Sequence, residues 1–374
     1  MFVKKLTKTA SGVTFAVKDN INVAGTASGM GCAAYENVEH ARRSAPIVQR
    51  LIDSDFQLVG KLVMHELAFG MTGVNNHSGT PINTLYPDLI PGGSSSGCAA
   101  AVASGDVDVA IGTDTGGSIR LPAACCGVVG FKPTYGRLNR DGVSPKTSSL
   151  DCVGPFARNV TLIEQAMQAM DATFVSTYQS QAITFGVLDV ECEPSTQAEF
   201  EVALQRISAL TNVRIQKISL PGMEEAFNAG MIFIASEAFA EFGDLPKEQL
   251  GSDIAARLQA ASDIDLDQIE HARQIQKAFT QEVSRALLDI DAILLPTLPS
   301  KPLELEAAKN GAIDLASSAL VRPFNVSGHP AISLPVASVN PFSVQLVGAL
   351  NEDEKLCAIA KQLENHLPKP VYPN

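Results

Sequence analysis

Two glycine-rich turns bracket a run of small apolar residues, and this pairing constrains the fold more than any other feature of the chain. The first turn is Pro91-Gly92-Gly93-Ser94-Ser95-Ser96-Gly97 and the second is Gly112-Thr113-Asp114-Thr115-Gly116-Gly117-Ser118. Between them, Ser96 to Ser104 reads as a small-residue helix and Val107 to Gly112 as the strand after it. Ser94 and Ser118 are 24 residues apart. A helix of ten residues runs about 15 Å and a strand of six about 20 Å. The chain can therefore go out along the helix and return along the strand, bringing both serines to one end. Glycine lets backbone approach a ligand closely and leaves N–H groups free to face an anion. A serine hydroxyl becomes a nucleophile where a neighbour takes its proton.

The same alternation recurs on either side. Thr14 to Val17 reads as a strand running into Lys18, and Ile21 to Gly25 as strand or turn. Ala45 to Ser54 has helical spacing with Pro46 in its first turn, and Phe56 to Gly60 is a short strand. A second region begins near Ser176. It holds a strand at Ile183 to Leu188 and helical periodicity over 195–210 and 265–290. Leu294 to Pro299 reads as a loop at a strand end. Ala331 to Val336 and Phe342 to Val347 read as strands, and 352–366 as a last helix. With no internal repeat or low-complexity linker, these segments predict one α/β domain over 1–374: a large twisted mixed β-sheet covered by α-helices on both faces. Residues 1–175 form its core, 176–290 a variable, mainly helical region, and 291–374 a return to the sheet.

Composition narrows the class of partner. A hydrophobic content of 45% with 18% charged residues suits a globular protein with a substantial core. The net charge of -12 repels nucleic acid and anionic membranes. No stretch of about 18 apolar residues suggests a membrane span, and the basic start (Lys4, Lys5, Lys8) lacks the apolar run of a signal peptide. The seven cysteines form no C-x-x-C or Cys/His cluster. The expectation is buried, reduced thiols in a cytoplasmic protein, with no metal and no cofactor.

The chemistry then turns on Ser118, Ser94 and Lys18. Ser118 follows Gly116-Gly117 at a strand end, the edge where α/β proteins bind ligands. The N–H groups of Thr115, Gly116, Gly117 and Ser118 can converge there as an oxyanion hole, or the turn can merely link strand to helix. Lys18 also ends an apolar strand. Burial there would disfavour its ammonium and make it a general base, although a lysine alone is more often a solvated surface residue. Ser95 and Ser96 can cap the helix they open, or Ser96 can serve the site as a polar group.

Taken together, Val17-Lys18-Asp19, Gly92 to Gly97 and Gly112 to Pro122, in this order and spacing, resemble the amidase signature family. Further matches are Gly60-Lys61 with His65-Glu66 (a helix before the site), Gly127 to Gly136, Leu150 to Pro155, Pro323-Phe324-Asn325, Gly328 to Ala331 and Gln345 to Gly348. The resemblance implies Ser118 as nucleophile, Ser94 as a bridging serine after a cis peptide bond, and Lys18 as terminal base. It implies an oxyanion hole of backbone N–H groups at 115–118, with Ser96, Asp114 and Arg120 as supporting residues. The implied reaction is hydrolysis of a small-molecule carboxamide to carboxylate and ammonia or amine, without metal or cofactor. Among subgroups the wording is most similar to small amidases of the indole-3-acetamide hydrolase type. The lysine comes early, at residue 18, and the variable region is reduced, which suggests an open or differently lidded pocket. Phe69, Met71, Thr72 and Phe324 can line that pocket or simply pack in the core. A homodimer is one open oligomeric state.

Three rivals remain at this point. Gly93-Ser94-Ser95-Ser96-Gly97 also satisfies G-x-S-x-G, which would make Ser95 a nucleophile served by His329 or His366; the two prolines before it make a poor strand. Within the family, the chain could be the glutaminase (A-type) subunit of a tRNA-dependent amidotransferase. The shortness of the chain and its lack of basic patches speak against that. A non-catalytic binding protein on the same fold would not need all three catalytic positions intact.

Overall fold

The computed structural model describes residues 1–7, 11–175 and 182–373. The boundary expected near Ser176 lies outside these. Among the described residues a single sheet of eleven strands runs through the molecule. The strands are β1 (Phe2–Lys5), β2 (Thr14–Lys18), β3 (Gln57–Leu62), β4 (Val109–Asp114), β5 (Val129–Lys132), β6 (Cys152–Ala157), β7 (Ile183–Leu188), β8 (Val213–Ile218), β9 (Ala292–Pro296), β10 (Ala331–Val336) and β11 (Phe342–Val347). Their order across the sheet is β1-β3-β2-β4-β6-β5-β10-β11-β9-β7-β8. β2 runs parallel to both β3 and β4, β7 runs parallel to both β8 and β9, and the pairs between these two blocks are antiparallel. The sheet is mixed, as expected.

Among the described residues eleven α-helices cover it: α1 (Pro46–Asp53), α2 (Ser96–Ser104), α3 (Arg120–Cys126), α4 (Val160–Met170), α5 (Pro194–Ser208), α6 (Met223–Phe242), α7 (Ser252–Ala261), α8 (Leu266–Ala286), α9 (Leu305–Lys309), α10 (Pro323–Val326) and α11 (Asp353–Glu364). The strand alternation shows how the two faces are divided. Phe15 and Val17 join a core shared with Val48 of α1, Ile163 of α4, Phe200 of α5 and Leu356 of α11. Ala16 and Ala110 point the other way and pack with Ala99 to Ala103 of α2 and Ala123 of α3. Farther along that second face, Ile293 and Leu295 meet Phe233 of α6, Phe279 of α8 and Phe324 of α10. Small residues on α2 bring it close to the sheet: a Cβ on Gly97 would collide with the Val63 carbonyl oxygen just past β3.

Several expectations need correction. Gly60-Lys61 belongs to strand β3, and only Glu66–Ala68 forms a single 3-10 turn, so no helix precedes the site there. Leu294-Leu295-Pro296 is strand rather than loop; Pro296 is the last residue of β9. Ile21 to Gly25, read as strand or turn, is a single bridge, Ile21 to Val143, followed by a turn at Ala24-Gly25.

Candidate active site

β2 and β4 are parallel neighbours, with Val17 opposite Ile111, so Lys18 and Asp114 end them at the same carboxyl edge of the sheet. Alternation puts Lys18 on the face of Ala16, toward α2. Its side chain is fully buried, and its Nζ lies 2.7 Å from Ser94 Oγ and 2.8 Å from Thr113 Oγ1. Burial lowers the Lys18 pKa to about 8, against the weaker opposing pull of Asp151, Cys98 and Asp114. Thr113, part of the second glycine turn but given no role by the sequence, is thus a partner of the lysine. Asn20 also donates to Thr113 Oγ1, at 3.3 Å, and to the Ser144 carbonyl at 2.7 Å.

The first glycine turn lies beside this lysine. The Gly93–Ser94 peptide bond is cis, as the resemblance implies, and the Ser94 carbonyl accepts from His65 N–H at 3.0 Å. Ser95 sits at the N-terminus of α2, but its hydroxyl donates to the Thr113 carbonyl at 3.1 Å rather than capping the helix. Ser96 is fully buried and its hydroxyl has no hydrogen-bond partner among the described residues, so neither capping nor any polar contact there accounts for it.

The second turn is held from within by Asp114. Its carboxylate accepts from the N–H groups of Gly117 (2.8 Å), Ile119 (3.1 Å) and Arg120 (3.3 Å). Gly117 has φ +111°, a region that favours glycine. Arg120 is fully buried and every arm of it is used. Nε and Nη2 donate to Asp114, Nη1 to the Val321 carbonyl and Gln345 Oε1 (both 2.8 Å), and Nη2 also to Asn325 Oδ1 (2.6 Å). Burial alone would raise the Asp114 carboxyl, but the Arg120 charge reverses this and holds it well below the usual carboxylate range. Asp114 and Arg120 thus shape the turn. The Gly117 N–H is committed to Asp114, which leaves those of Thr115, Gly116 and Ser118 with no hydrogen-bond acceptor among the described residues. Ser118 is 8% exposed, and its hydroxyl makes no hydrogen bond among the described residues.

Helix α6 packs against the second turn. An ideal Cβ on Gly116 would lie 2.8 Å from Ile234 Cδ1 on α6 and 3.2 Å from Arg322 Nε, so this helix and Arg322 press directly on the turn. A cavity of about 430 Å³ adjoins it, lined by Met71, Thr72, Leu121, Cys125, Arg257 and Leu298 among others. Lys18, Ser94 and Ser118 are not among its lining residues, and Leu121, on the first turn of α3, is the link between the two. Of the four residues weighed as pocket walls, Met71 and Thr72 take that place. Phe69 packs under the Arg257 guanidinium (4.1 Å to the ring centre), and Phe324 is buried against Phe279.

The G-x-S-x-G alternative fails on contacts. The Ser95 hydroxyl is spent on Thr113, His329 bonds to Ser284 and Ser327, and His366 is exposed. Among the described residues no group of three or more His, Cys, Asp or Glu could hold a metal ion, and no helix is long and apolar enough to cross a membrane.

A model of the amidase family matches residues 3–357. The chain belongs to the amidase family. The A-type subunit of glutamyl-tRNA(Gln) amidotransferase from Methanospirillum hungatei is 32% identical to this amidase over 95% of the chain and 92% of the relative. Amidase 1 of Arabidopsis thaliana is 28% identical over 94% and 92%. A crystal structure of an amidase superposes with a TM-score of 0.87 at 30% identity, covering 95% of this chain and 84% of that one. The amidase is therefore an enzyme of the type that hydrolyses carbon–nitrogen amide bonds.

Proposed function

We propose that this amidase cleaves a carboxamide through an acyl-enzyme on Ser118, with Ser94 as the proton bridge and Lys18 as the base. The observation that carries this reading is the 2.7 Å contact between Lys18 Nζ and Ser94 Oγ, buried at the strand edge that also ends in the Ser118 turn. A neutral amine has a lone pair to receive the Ser94 proton. A pKa of about 8 leaves part of the lysine population neutral near physiological pH. Ser118 Oγ then attacks the amide carbon, passing its proton to Ser94 as Ser94 passes its own to Lys18. The carbonyl electrons move to oxygen, which rests on the free N–H groups of Thr115, Gly116 and Ser118. As the C–N bond breaks, the proton returns through Ser94 to the leaving nitrogen. Water repeats the sequence on the ester, giving carboxylate and free Ser118. The Ser118–Ser94 hydrogen bond is the one link that substrate must complete; such contacts often tighten only in the bound complex.

The names of the relatives bear on the setting of this chemistry. Several of them, including the one at 32% identity, are A-type subunits of an amidotransferase, which favours a glutaminase subunit over the free-standing small-molecule amidase that the sequence put first. Release of ammonia from glutamine and from simple amides by the isolated chain separates the two. A glutaminase subunit would need a partner for full rate and prefer glutamine; a free-standing amidase would need neither. For the reaction itself, a fluorophosphonate should add its mass to the wild type and not to Ser118→Ala. Labelling that persists in Ser118→Ala would refute the nucleophile.

A further inference from the structure

Arg322, at the start of α10, is a buried cation without an anion. It is 4% exposed and forms no salt bridge among the described residues. Its Nε has no hydrogen-bond partner among these residues either. Its Nη1 and Nη2 face only thioether sulfurs, Met231 Sδ at 2.7 Å and Met71 Sδ at 3.6 Å. One face of the guanidinium lies over the Phe227 ring, 4.4 Å from its centre. Thioethers are weak acceptors on flexible stems, so both ends of the fork that binds a carboxylate in parallel are covered by groups that move aside easily.

The surroundings make room for this arginine. An ideal Cβ on Gly230 of α6 would lie 2.8 Å from its Cγ and Cδ, and one on Gly116 would lie 3.2 Å from its Nε. The guanidinium thus sits against the turn that carries Ser118 and the free N–H groups. Met71 and Met231 are only partly buried, and Met71 also lines the 430 Å³ cavity. Met71 is therefore what stands between that cavity and the fork.

We propose that Arg322 binds a carboxylate on the substrate, so that the amidase selects amides of acids bearing a second, anionic group. Met71 and Met231 fill the fork until that carboxylate displaces them. This proposal rests on the acyl-enzyme reading of Ser118 and narrows its substrate class.

The test compares succinamate with butyramide, which differ by a carboxylate in place of a methyl group. The wild type should favour succinamate in kcat/KM by about tenfold or more, the range of one charge-assisted contact. Arg322→Gln should lower that ratio by about tenfold, and Arg322→Lys should recover part of it. Succinamate should also slow fluorophosphonate labelling of Ser118 in the wild type more than butyramide does, and lose this advantage in Arg322→Gln. A wild-type ratio near one with no difference in protection, or a ratio that Arg322→Gln leaves unchanged, would overturn the assignment. If Arg322→Gln does not fold, the wild-type ratio and the Arg322→Lys variant decide. Failure of the parent reading looks different: Ser118 takes no label at all, or Ser118→Ala still turns over both amides.

Discussion

Arg120 and Arg322 are two buried arginines that press on the same Gly116–Gly117 turn from different elements, and they are solvated in opposite ways. Arg120, on α3, meets a carboxylate, an amide oxygen from each of two other side chains and a backbone carbonyl. Arg322, at the start of α10, meets two sulfurs and an aromatic face and feels the charge of a second, partly buried cation, Arg257. Burial, and secondarily the Arg257 charge, lowers its pKa to about 10, which leaves it a cation at neutral pH. A buried charge that is fully paired holds structure. A buried charge that is left unpaired costs stability and is retained where something else binds to it. The difference teaches that burial and residue type alone do not separate scaffold from site; the identity of the partners does.

The sharpest way to break this contrast begins next to it, at Lys18. Lys18→Met should lower kcat/KM by about a thousandfold or more at neutral pH, the order expected when a base of this kind is removed. The same variant should be more stable than the wild type at pH 7. In the folded protein Lys18 binds its proton up to about pH 8, and in the unfolded chain up to about 10.5. The unfolded state therefore binds more protons between these values, so wild-type stability rises with pH across that window. Below it both states are protonated, and the folded one holds a charge in a dry site. In Lys18→Met this dependence should vanish from thermal denaturation followed between pH 7 and 10.5. Loss of activity together with loss of stability would instead make Lys18 a structural residue.

Next in size is the scaffold side of the comparison. Arg120→Met leaves the Asp114 carboxylate buried and deprived of its counter-charge, an arrangement that costs about 3–5 kcal/mol. The expected result is a large fall in the urea midpoint, with Ser118 labelling lost as the turn loosens. Arg322→Met should do the reverse, leaving the midpoint unchanged or raising it, because a well-packed apolar chain replaces an unpaired charge. Equal losses of stability in the two variants would erase the distinction drawn between the two arginines.

The same contrast marks what is legible in the sequence. The pattern of residues places β2, α2 and β4 within two residues of their observed ends, because glycine turns bound short apolar runs there. Lys18 ends β2, Ser94 lies just before α2 and Ser118 just after β4; chain lengths alone bring the two serines to one edge, and the pairing of β2 with β4 adds the lysine. The partners of Arg120 follow from neither; Val321, Asn325 and Gln345 arrive from more than 200 residues away. α6 escapes notice for a different reason. From Met223 to Phe242 it carries apolar residues on all sides, since it packs against α7, α8 and α10 at once, and a helix apolar all round shows no periodicity. Arg322 is hidden for the same reason, because its setting depends on Gly230, Phe227 and Met231 of that helix.

Kinetics against pH should sharpen the lysine further. With Lys18 acting as base, kcat/KM should rise with pH and level off above about 8, governed by the folded pKa. His65, lowered to about 4 mainly by burial, stays neutral through this range and should add no second limb. A profile that is flat from pH 6 to 9 would remove the lysine from the rate-determining proton transfer.

The smallest effect concerns Ser96, placed among the supporting residues by resemblance. Its hydroxyl is buried without a partner among the described residues. An unsatisfied buried hydroxyl costs about 1–3 kcal/mol, and Ser96→Ala removes it while changing the packing volume very little. The variant should therefore be as stable as the wild type or about 1 kcal/mol more so, with turnover within about twofold. A tenfold loss of turnover at unchanged stability would show instead that the hydroxyl waits for substrate, as the Arg322 fork does. Ser96 would then belong with the unpaired groups of the site and not with the satisfied groups of the scaffold.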